Sequence, residues 1–522
     1  MNKLYLLLTG LTLTIGVLAS AAYLGTAEVW VILQQQWSTI LLTLGLVCLA
    51  TLANLGLRWV RWHYLNRKFS VYLPTRHSLR VYFALLPSIL TPLYCGEVLR
   101  AAFMERYSER PWAHTGRVWM IERSADLGIV LFFVSLADPD QRYWALPTTL
   151  LCLLLSQGFV ARCSKSLPQR LEIVALVVGS GVLAWSITAL MLSLVVHMLG
   201  PSLPLRDSIA AFSESTILGS VSLLPGGVGV TGTSMLESLR SHDIGLAAAT
   251  VTVLVFRAGT TWFAVALGAV VFLSRRRQLR EPEATERSHF DQIAGEYSEQ
   301  ISDHMRDRLL ASKTGLIVET LTRHGITSGC GLDFGCGQGW YAGNMAERGF
   351  SMIGCDASSG QLAWAQRNVP QLQVAQLEQG RISLPDNSVD FAYSINVMHH
   401  IEDPALRETS WRELVRVVRP GGLIMIHEMN TLNPVFRFYL GYVFPLIKSI
   451  DEGTEQWLDP HALPEIDGAQ WQTDTCYFTF VPDFVPTWLG ALLAPLERWL
   501  ENSRFKHWSA HFFSYLVTDR RT

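Results

Sequence analysis

Charge is scarce in this chain. Of 522 residues, 16% are Asp, Glu, Lys or Arg and 49% are hydrophobic, whereas an ordinary soluble domain carries about a quarter charged residues. The formal net charge of -2 gives no positive excess. The basic residues fall in short clusters between apolar runs and form no stripe, which argues against a nucleic-acid surface. Paired cysteines are also missing: the eight Cys are scattered, with no C-x-x-C pair and no His at metal-ligand spacing. Neither a zinc site nor a disulfide framework is indicated, and the thiols read as reduced.

What remains is a chain of two characters. Up to about Leu273, apolar segments near the length of about 20 residues needed to cross a bilayer follow one another; beyond it, charge and alternating patterns return. Residues 4–24 and 38–60 read as the first two spans. Lys3, the apolar run and "ASAA" also fit a cleaved signal peptide, and the reading taken is an uncleaved anchor. Arg58, Arg61, Arg67, Lys68, Arg76 and Arg80 follow without an acidic residue, which by the positive-inside rule sets that loop in the cytoplasm, along with Arg275–Arg280.

Further apolar segments lie near 79–103, 118–136, 143–161, 171–199, 205–230 and 244–273. The first carries Pro87 and Pro92, and the fifth carries Pro225, Gly226, Gly227 and Gly229, residues poorly suited to continuous helix. If residues 79–103 enter and leave on one face, Arg162, Lys165 and Arg170 also become cytoplasmic and the turn at Asp138 and Asp140 lies outside. The expectation is a polytopic α-helical membrane domain of about six spans and two re-entrant segments. Glu97, Arg100, Glu122, Arg123, Asp126, Glu214 and Arg257 sit inside these stretches, where charge is costly and faces a cavity or another charge. They are expected to form a polar cavity between the broken segments that admits a phospholipid-like head group, or else to pin the hairpins by internal pairing.

"RWHYL", "TPLYCGEVLR", "IERSAD", "LLPGGVGVTG" and "FRAGTTW" resemble, in order, the membrane domain of the lysylphosphatidylglycerol synthase type, the flippase-like family. The resemblance covers nearly all of residues 1–275 and implies lipid translocation. A glutamate usual near Gly232 or Thr233 in that family is absent.

Residues 276–287 read as a charged cytoplasmic linker, and 288–522 as a second domain. There, helical and strand patterns alternate: helix 303–324, strand 330–334, helix 340–349, strand 351–356, helix 359–368, strand 389–395, helix 405–418, strand 422–428. This is the signature of an α/β Rossmann-like doubly wound sheet. In "LDFGCGQGW", Gly335, Gly337 and Gly339 let backbone N–H groups approach a ligand at a helix N-terminus. Asp333 lies inside the strand, where a carboxylate can meet an amino-acid ammonium; Asp356 closes the next strand and suits ribose hydroxyls; Glu378 is placed to accept from an adenine amino group.

With "ELVRVVRPGGLIMIHE", these features resemble the class I S-adenosylmethionine-dependent methyltransferases, type 11, over 288 to about 430. The resemblance implies S-adenosyl-L-methionine as cofactor, with Asp333, Gly335 and Gly337 along its methionine part, Asp356 on the ribose, and Glu378 with Gln379 flanking the adenine, where the family usually has aspartate. "HFDQIAGEYSEQI" resembles the helical cap over the cofactor, with Tyr297 a lid residue. His399, His400 and Glu428 stand at strand ends as catalytic candidates, with structural hydrogen bonding as their competing role. No metal is expected.

"NPVFRFYLGYVFPLI" and "FVPTWLGALLAPLERWL" fit interfacial helices or a substrate cap, and either favours an apolar acceptor. The sequence thus points to a methyltransferase integral to the cytoplasmic (inner) membrane. Its methyltransferase domain is cytoplasmic, its partners are the bilayer and a lipid or lipid-linked acceptor, and nucleic acid is not among them. The alternative is a lipid transporter whose second domain senses the cofactor without turnover.

Overall fold

The computed structural model describes residues 27–104, 108–164, 166–200, 203–222, 224, 227, 229–275, 286–295, 297, 303–448, 450–472, 475–480 and 487–519. The expected span at 4–24, the break residues Pro225 and Gly226, and all but the last two residues of the linker lie outside them. The chain divides into two compact units, Met1–Glu281 and Pro282–Thr522.

The first unit is helical among its described residues: α1 Ala27–Gln35, α2 Trp37–Lys68, α3 Thr75–Ala84, α4 Pro111–Ala137, α5 Arg142–Cys163, α6 Leu167–Met198, α7 Leu205–Val221, α8 Val230–Arg240, α9 Leu246–Arg257 and α10 Phe263–Arg275. Among the described residues four stretches are long and apolar enough to cross a membrane: Trp37–Lys68, Pro139–Cys163, Leu167–Met198 and Leu246–Ser274, the last continued through a π-helical turn at Ala258–Trp262. The α4 helix is 27 residues long but carries Glu122, Arg123 and Asp126 in its middle.

Both segments read as broken are broken. After α3 the chain winds as two 3-10 stretches, Leu86–Leu90 and Pro92–Phe103, with a proline at the second position of the first and at the first position of the second. At the junction Thr91 Oγ1 donates to the Ser88 carbonyl and accepts from the Gly96 amide, each at 2.7 Å; a Cβ on Gly96 would lie 2.8 Å from that oxygen. The second break separates α7 from α8. Gly227 there has φ +62°, and a Cβ on it would stand 3.0 Å from the Gly219 Cα.

One expectation about charge needs correction. Arg58 and Arg61 were counted with a cytoplasmic loop, but α2 runs on to Lys68 and carries both inward, Arg61 with 1% of its surface exposed. Their partners lie more than sixty residues away on α4 and leave no mark in local composition.

The second unit is a nine-stranded sheet: β1 Cys330–Phe334, β2 Ser351–Asp356, β3 Gln373–Glu378, β4 Arg381–Ile382, β5 Val389–Ile395, β6 Val418–Met429, β7 Ala469–Trp471, β8 Cys476–Phe478 and β9 His511–Thr518. The order is β4-β3-β2-β1-β5-β6-β9-β7, with β8 also on β9. Strands β3, β2, β1, β5 and β6 run parallel, and β9 is antiparallel to β6, with Ile426 opposite Ser514. Helices α11 Glu286–Ile293, α12 Asp303–Arg323, α13 Trp340–Glu347, α14 Ser359–Asn368 and α15 Pro404–Val417 accompany it.

The central strands are buried on both faces. One face packs Leu332, Phe334, Ala392 and Ile424 with Trp411 and Leu414 of α15; the other packs Phe391, Tyr393 and Met425 with Ile317 and Leu321 of α12. Strand succession reverses between β1 and β5, so a crevice opens at their carboxyl ends, where doubly wound sheets bind ligands.

Candidate functional site

That crevice is a cavity of about 690 Å³. Of the residues proposed from sequence, Tyr297, Asp333, Gly335, Gly337, Asp356, Gln379 and His400 line it. Gly339, Glu378, His399 and Glu428 do not.

The glycine loop owes its shape to contacts on both sides. Gly335 has φ +74° and a Cβ there would run into the Val397 side chain, while the Gly335 and Cys336 amides donate to the Cys355 carbonyl at 2.7 and 2.9 Å. Gly339, at φ +80°, caps α13 and packs on Ala365; it positions the helix and does not face the cavity.

Asp356 holds the loop from below: one carboxylate oxygen accepts from the Gly337 amide at 2.9 Å and the other from the Ser358 amide at 2.8 Å. Burial raises its carboxyl above the ordinary value, against these two donors, which favour the ionised form. Asp356→Ala therefore leaves two loop amides without their acceptor. At about 1–3 kcal/mol for such a loss, cofactor affinity measured by calorimetry should fall about five- to a hundredfold. Unchanged affinity, or a preference for a nicotinamide dinucleotide, would remove the assignment.

Asp333 is 2% exposed and its Oδ2 has no hydrogen-bond partner. Burial pushes its carboxyl up to about 7. A buried acceptor left unmatched at the mouth of a glycine loop suits a cationic donor from a ligand. Tyr297, pushed up to about 12 by burial, keeps its phenolic proton. Of the pair Glu378 and Gln379, the exposed Glu378 ends β3, the backbone turns with φ +50° at Gln379, and Gln379 is the one that faces the cavity.

His399 and His400 occupy a short 3-10 turn, Met398–His400, after β5. His399 Nδ1 is bound to Glu428, whose other oxygen accepts from the Met398 amide at 2.8 Å. Burial alone would lower His399, but Glu428, Asp451 and Glu455 hold it above the ordinary imidazole value. Its ring stacks on Trp457 at 4.4 Å. This pair braces the turn behind the wall. His400 is lowered well below its ordinary value, first by burial and then by His399 and His289, so its ring is neutral. Asp451 stands 3.9 Å behind His400 Nε2 and is pushed up to about 8, by burial and by Glu455. His399, His400 and Asp451 bring ligand atoms within 4.8 Å of one another, a group able to hold a metal ion that the sequence did not announce.

Sequence reasoning also missed Asp291, whose carboxylate accepts from Ser358 Oγ at 2.5 Å and the Gly360 amide at 2.9 Å, fastening the α11 cap to α14. Arg306 and Lys313 of α12 line the cavity over Trp340 and Tyr341. Nothing in the sequence of α12 marked them.

In the first unit, five of the seven proposed residues form one ion-pair network. Arg61 meets Glu122 and Asp126 at 2.9 Å each, Arg58 and Arg123 meet Asp126 at 3.0 and 3.2 Å, and Arg123 and Arg100 meet Glu97 at 3.5 and 3.4 Å. Glu214 stands apart, accepting from Gln141 at 3.1 Å. Of this network only Arg58 lines the cavity of this unit. That cavity, about 190 Å³, has Arg58 and Arg257 as its charged residues, with Asn54, Thr51, Thr188, Thr216, Ser220 and other hydroxyls. Of the seven, only Arg257 reaches it.

Residues 332–426 match the family profile of a methyltransferase domain, and residues 153–268 that of the lysylphosphatidylglycerol synthase TM region. A demethylmenaquinone methyltransferase of Beutenbergia cavernae is 30% identical over 132 residues, 24% of this chain and 54% of the relative. A ubiquinone biosynthesis O-methyltransferase of Acinetobacter baylyi is 26% identical over 176 residues, 32% of this chain and 71% of the relative. The chain thus spans about half the length of the first relative. Among solved structures, the complex of the Haloferax volcanii Trm112 activator with a methyltransferase aligns over 45% of this chain and 98% of that one, at 16% identity and a TM-score of 0.32. The second unit carries a class I methyltransferase domain whose cofactor is S-adenosylmethionine, and the unmatched Asp333 carboxylate, the glycine cradle and Asp356 fit that group.

Proposed function

We propose that the chain transfers a methyl group from S-adenosylmethionine to a lipid or lipid-linked acceptor at the cytoplasmic face of an inner membrane, and that its first unit is a lipid-translocating module with two re-entrant segments. The observation that carries the catalytic part is the wall of the 690 Å³ cavity: the binding carboxylates Asp333 and Asp356 and the neutral imidazole of His400 face one space.

The cofactor supplies an electrophilic methyl group. Asp333 would hold the ammonium end and the Gly335–Gly337 backbone would take the methionine part, which would align the reacting groups before contact. Asp356 and Gln379 would hold the ribose and adenine. His400 would accept the proton that an acceptor hydroxyl loses as its oxygen bonds to the methyl carbon and the bond from that carbon to sulfur breaks, leaving the sulfur as a neutral thioether. The His399–Glu428 pair keeps the turn that carries His400 rigid. Arg257, with the hydroxyls around it and Arg58, whose charge Asp126 offsets in part, gives the membrane cavity the character of an anion site, suited to a phosphate-bearing head group.

The test is incubation of the full chain with labelled cofactor and membrane lipid extracts, followed by extraction of the label into the lipid phase. His400→Gln should lower kcat by about 10²–10⁴ with cofactor affinity unchanged. Absence of label from every lipid fraction, with cofactor bound, would favour the cofactor-sensing transporter.

A further inference from the structure

The second unit exposes large apolar side chains in one run of its C-terminal part. Helix Thr487–Glu501 turns Leu492, Leu496 and Trp499 outward, at 69%, 52% and 60% exposure, spaced as one face of a helix. Phe505 and Trp508 continue it. Val435, Phe438 and Ile447, in the segment after β6, are exposed too. The two stretches are neighbours: Asn433 Nδ2 donates to the Trp508 carbonyl at 2.9 Å and Asn430 Nδ2 to the His507 carbonyl at 2.9 Å.

The charges beside this face are sorted by sign. Glu497 and Glu501, the acidic residues of the helix, are turned inward, accepting from the Phe480 and Thr479 amides at 2.9 and 2.8 Å. Arg437, Arg498, Arg504 and Lys506 are exposed. The outer surface is therefore aromatic and aliphatic, rimmed by cations, the composition of an interfacial helix on anionic lipid.

We propose that this face docks on an anionic phospholipid bilayer. It rests on the reading that the first unit spans the membrane. The helix Leu246–Ser274 is long and apolar enough to cross one, and only ten residues separate Arg275 from Glu286, a reach of at most about 40 Å. The segment after β6 starts at Asn430, at the carboxyl edge of the sheet, the edge at which Asp333, Asp356 and Asn396 line the cofactor cavity. Docking by this face sets that edge toward the lipid, so an acceptor with an apolar tail is presented to the cavity without leaving the bilayer.

The experiment uses the full chain with native cysteines replaced, in lipid discs of phosphatidylcholine alone or mixed with phosphatidylglycerol. A nitroxide is placed at Leu496→Cys and, as control, at Arg412→Cys on α15. In mixed discs the label at 496 should gain collisions with oxygen and lose collisions with a water-soluble nickel chelate, relative to 412. Arg498→Gln, Arg504→Gln and Lys506→Gln should each lower the docked fraction ratio about fivefold, since one such cation near an anionic surface contributes about 1 kcal/mol. A label at 496 as open to the chelate as the one at 412 in both lipids overturns the proposal. Dipolar broadening between labels on two copies assigns the face to self-association and overturns it as well. The readout needs no methyl transfer, and Asp333→Asn, which disables the cofactor site, should leave it unchanged.

Discussion

Asp333→Asn should weaken S-adenosylmethionine binding about a hundredfold or more, and at the same time make the ligand-free protein more stable above pH 7. The first effect follows from the proposed role of this carboxylate, which is to meet the cofactor's ammonium in a buried setting. The second follows from burial, which pushes Asp333 up to about 7. Between about pH 4 and 7 the folded chain keeps a proton that the unfolded chain has released, so stability contributed by this site falls as pH rises through that window. Above it the wild type holds an ionised, buried carboxylate with one oxygen unmatched, which Tyr393 and the Ala342 backbone offset only in part; asparagine does not. The gain is at most about 4 kcal/mol and vanishes below pH 4. Thermal unfolding at pH 5 and 8, with calorimetric titration of the cofactor, measures both. In the wild type, affinity should rise about tenfold per unit up to pH 7, then fall again above about 8 as the cofactor's α-amino group loses its proton. A variant that binds normally, or one less stable than wild type at pH 8, would show that Asp333 is a structural acid.

The legibility of Asp333 in the sequence, and the illegibility of its neighbours, have one cause. A strand, a glycine turn and a helix are consecutive, so residues 330–347 announce both their structure and the ligand edge they build. The same holds for the helix breaks at Pro87, Pro92 and Gly227, which are properties of single residues. Asp451 and Trp457 reach the turn at His399 from some fifty residues on, and nothing in their own segment marks them. Strands β7 and β8, three residues each, are too short for alternation to register. Strand β9, eight residues with all but Val517 buried, has polar His511, Ser514 and Thr518 among its apolar residues and shows no alternation to tell it from a cap or an interfacial segment. Glu378 and Gln379 differ by a single backbone reversal, which spacing cannot foresee.

The same distance problem governs the membrane unit, where the sequence grouped seven charges and the structure divides them by task. Arg61 pairs with Glu122 at 2.9 Å, beside the charge of Arg123, and Arg61 and Glu122 are almost completely buried. Arg61→Met keeps the volume but leaves Glu122 charged and without that pair; Asp126 still has Arg58 and Arg123. Breaking a buried pair from one side costs about 3–5 kcal/mol, whereas replacing both members with apolar residues is often neutral. Arg61→Met should therefore lower the unfolding temperature of the detergent-solubilised chain by several degrees, and the added change Glu122→Leu should restore most of it. Arg257→Gln, at the cavity and outside the network, should leave that temperature nearly unchanged while weakening binding of a phosphate-bearing lipid. Thermal unfolding of the four proteins, paired with a lipid-binding assay, separates the two tasks. Should Arg61→Met unfold like wild type, or Arg257→Gln destabilise as much, the division into a structural ladder and an anion-binding wall would fall.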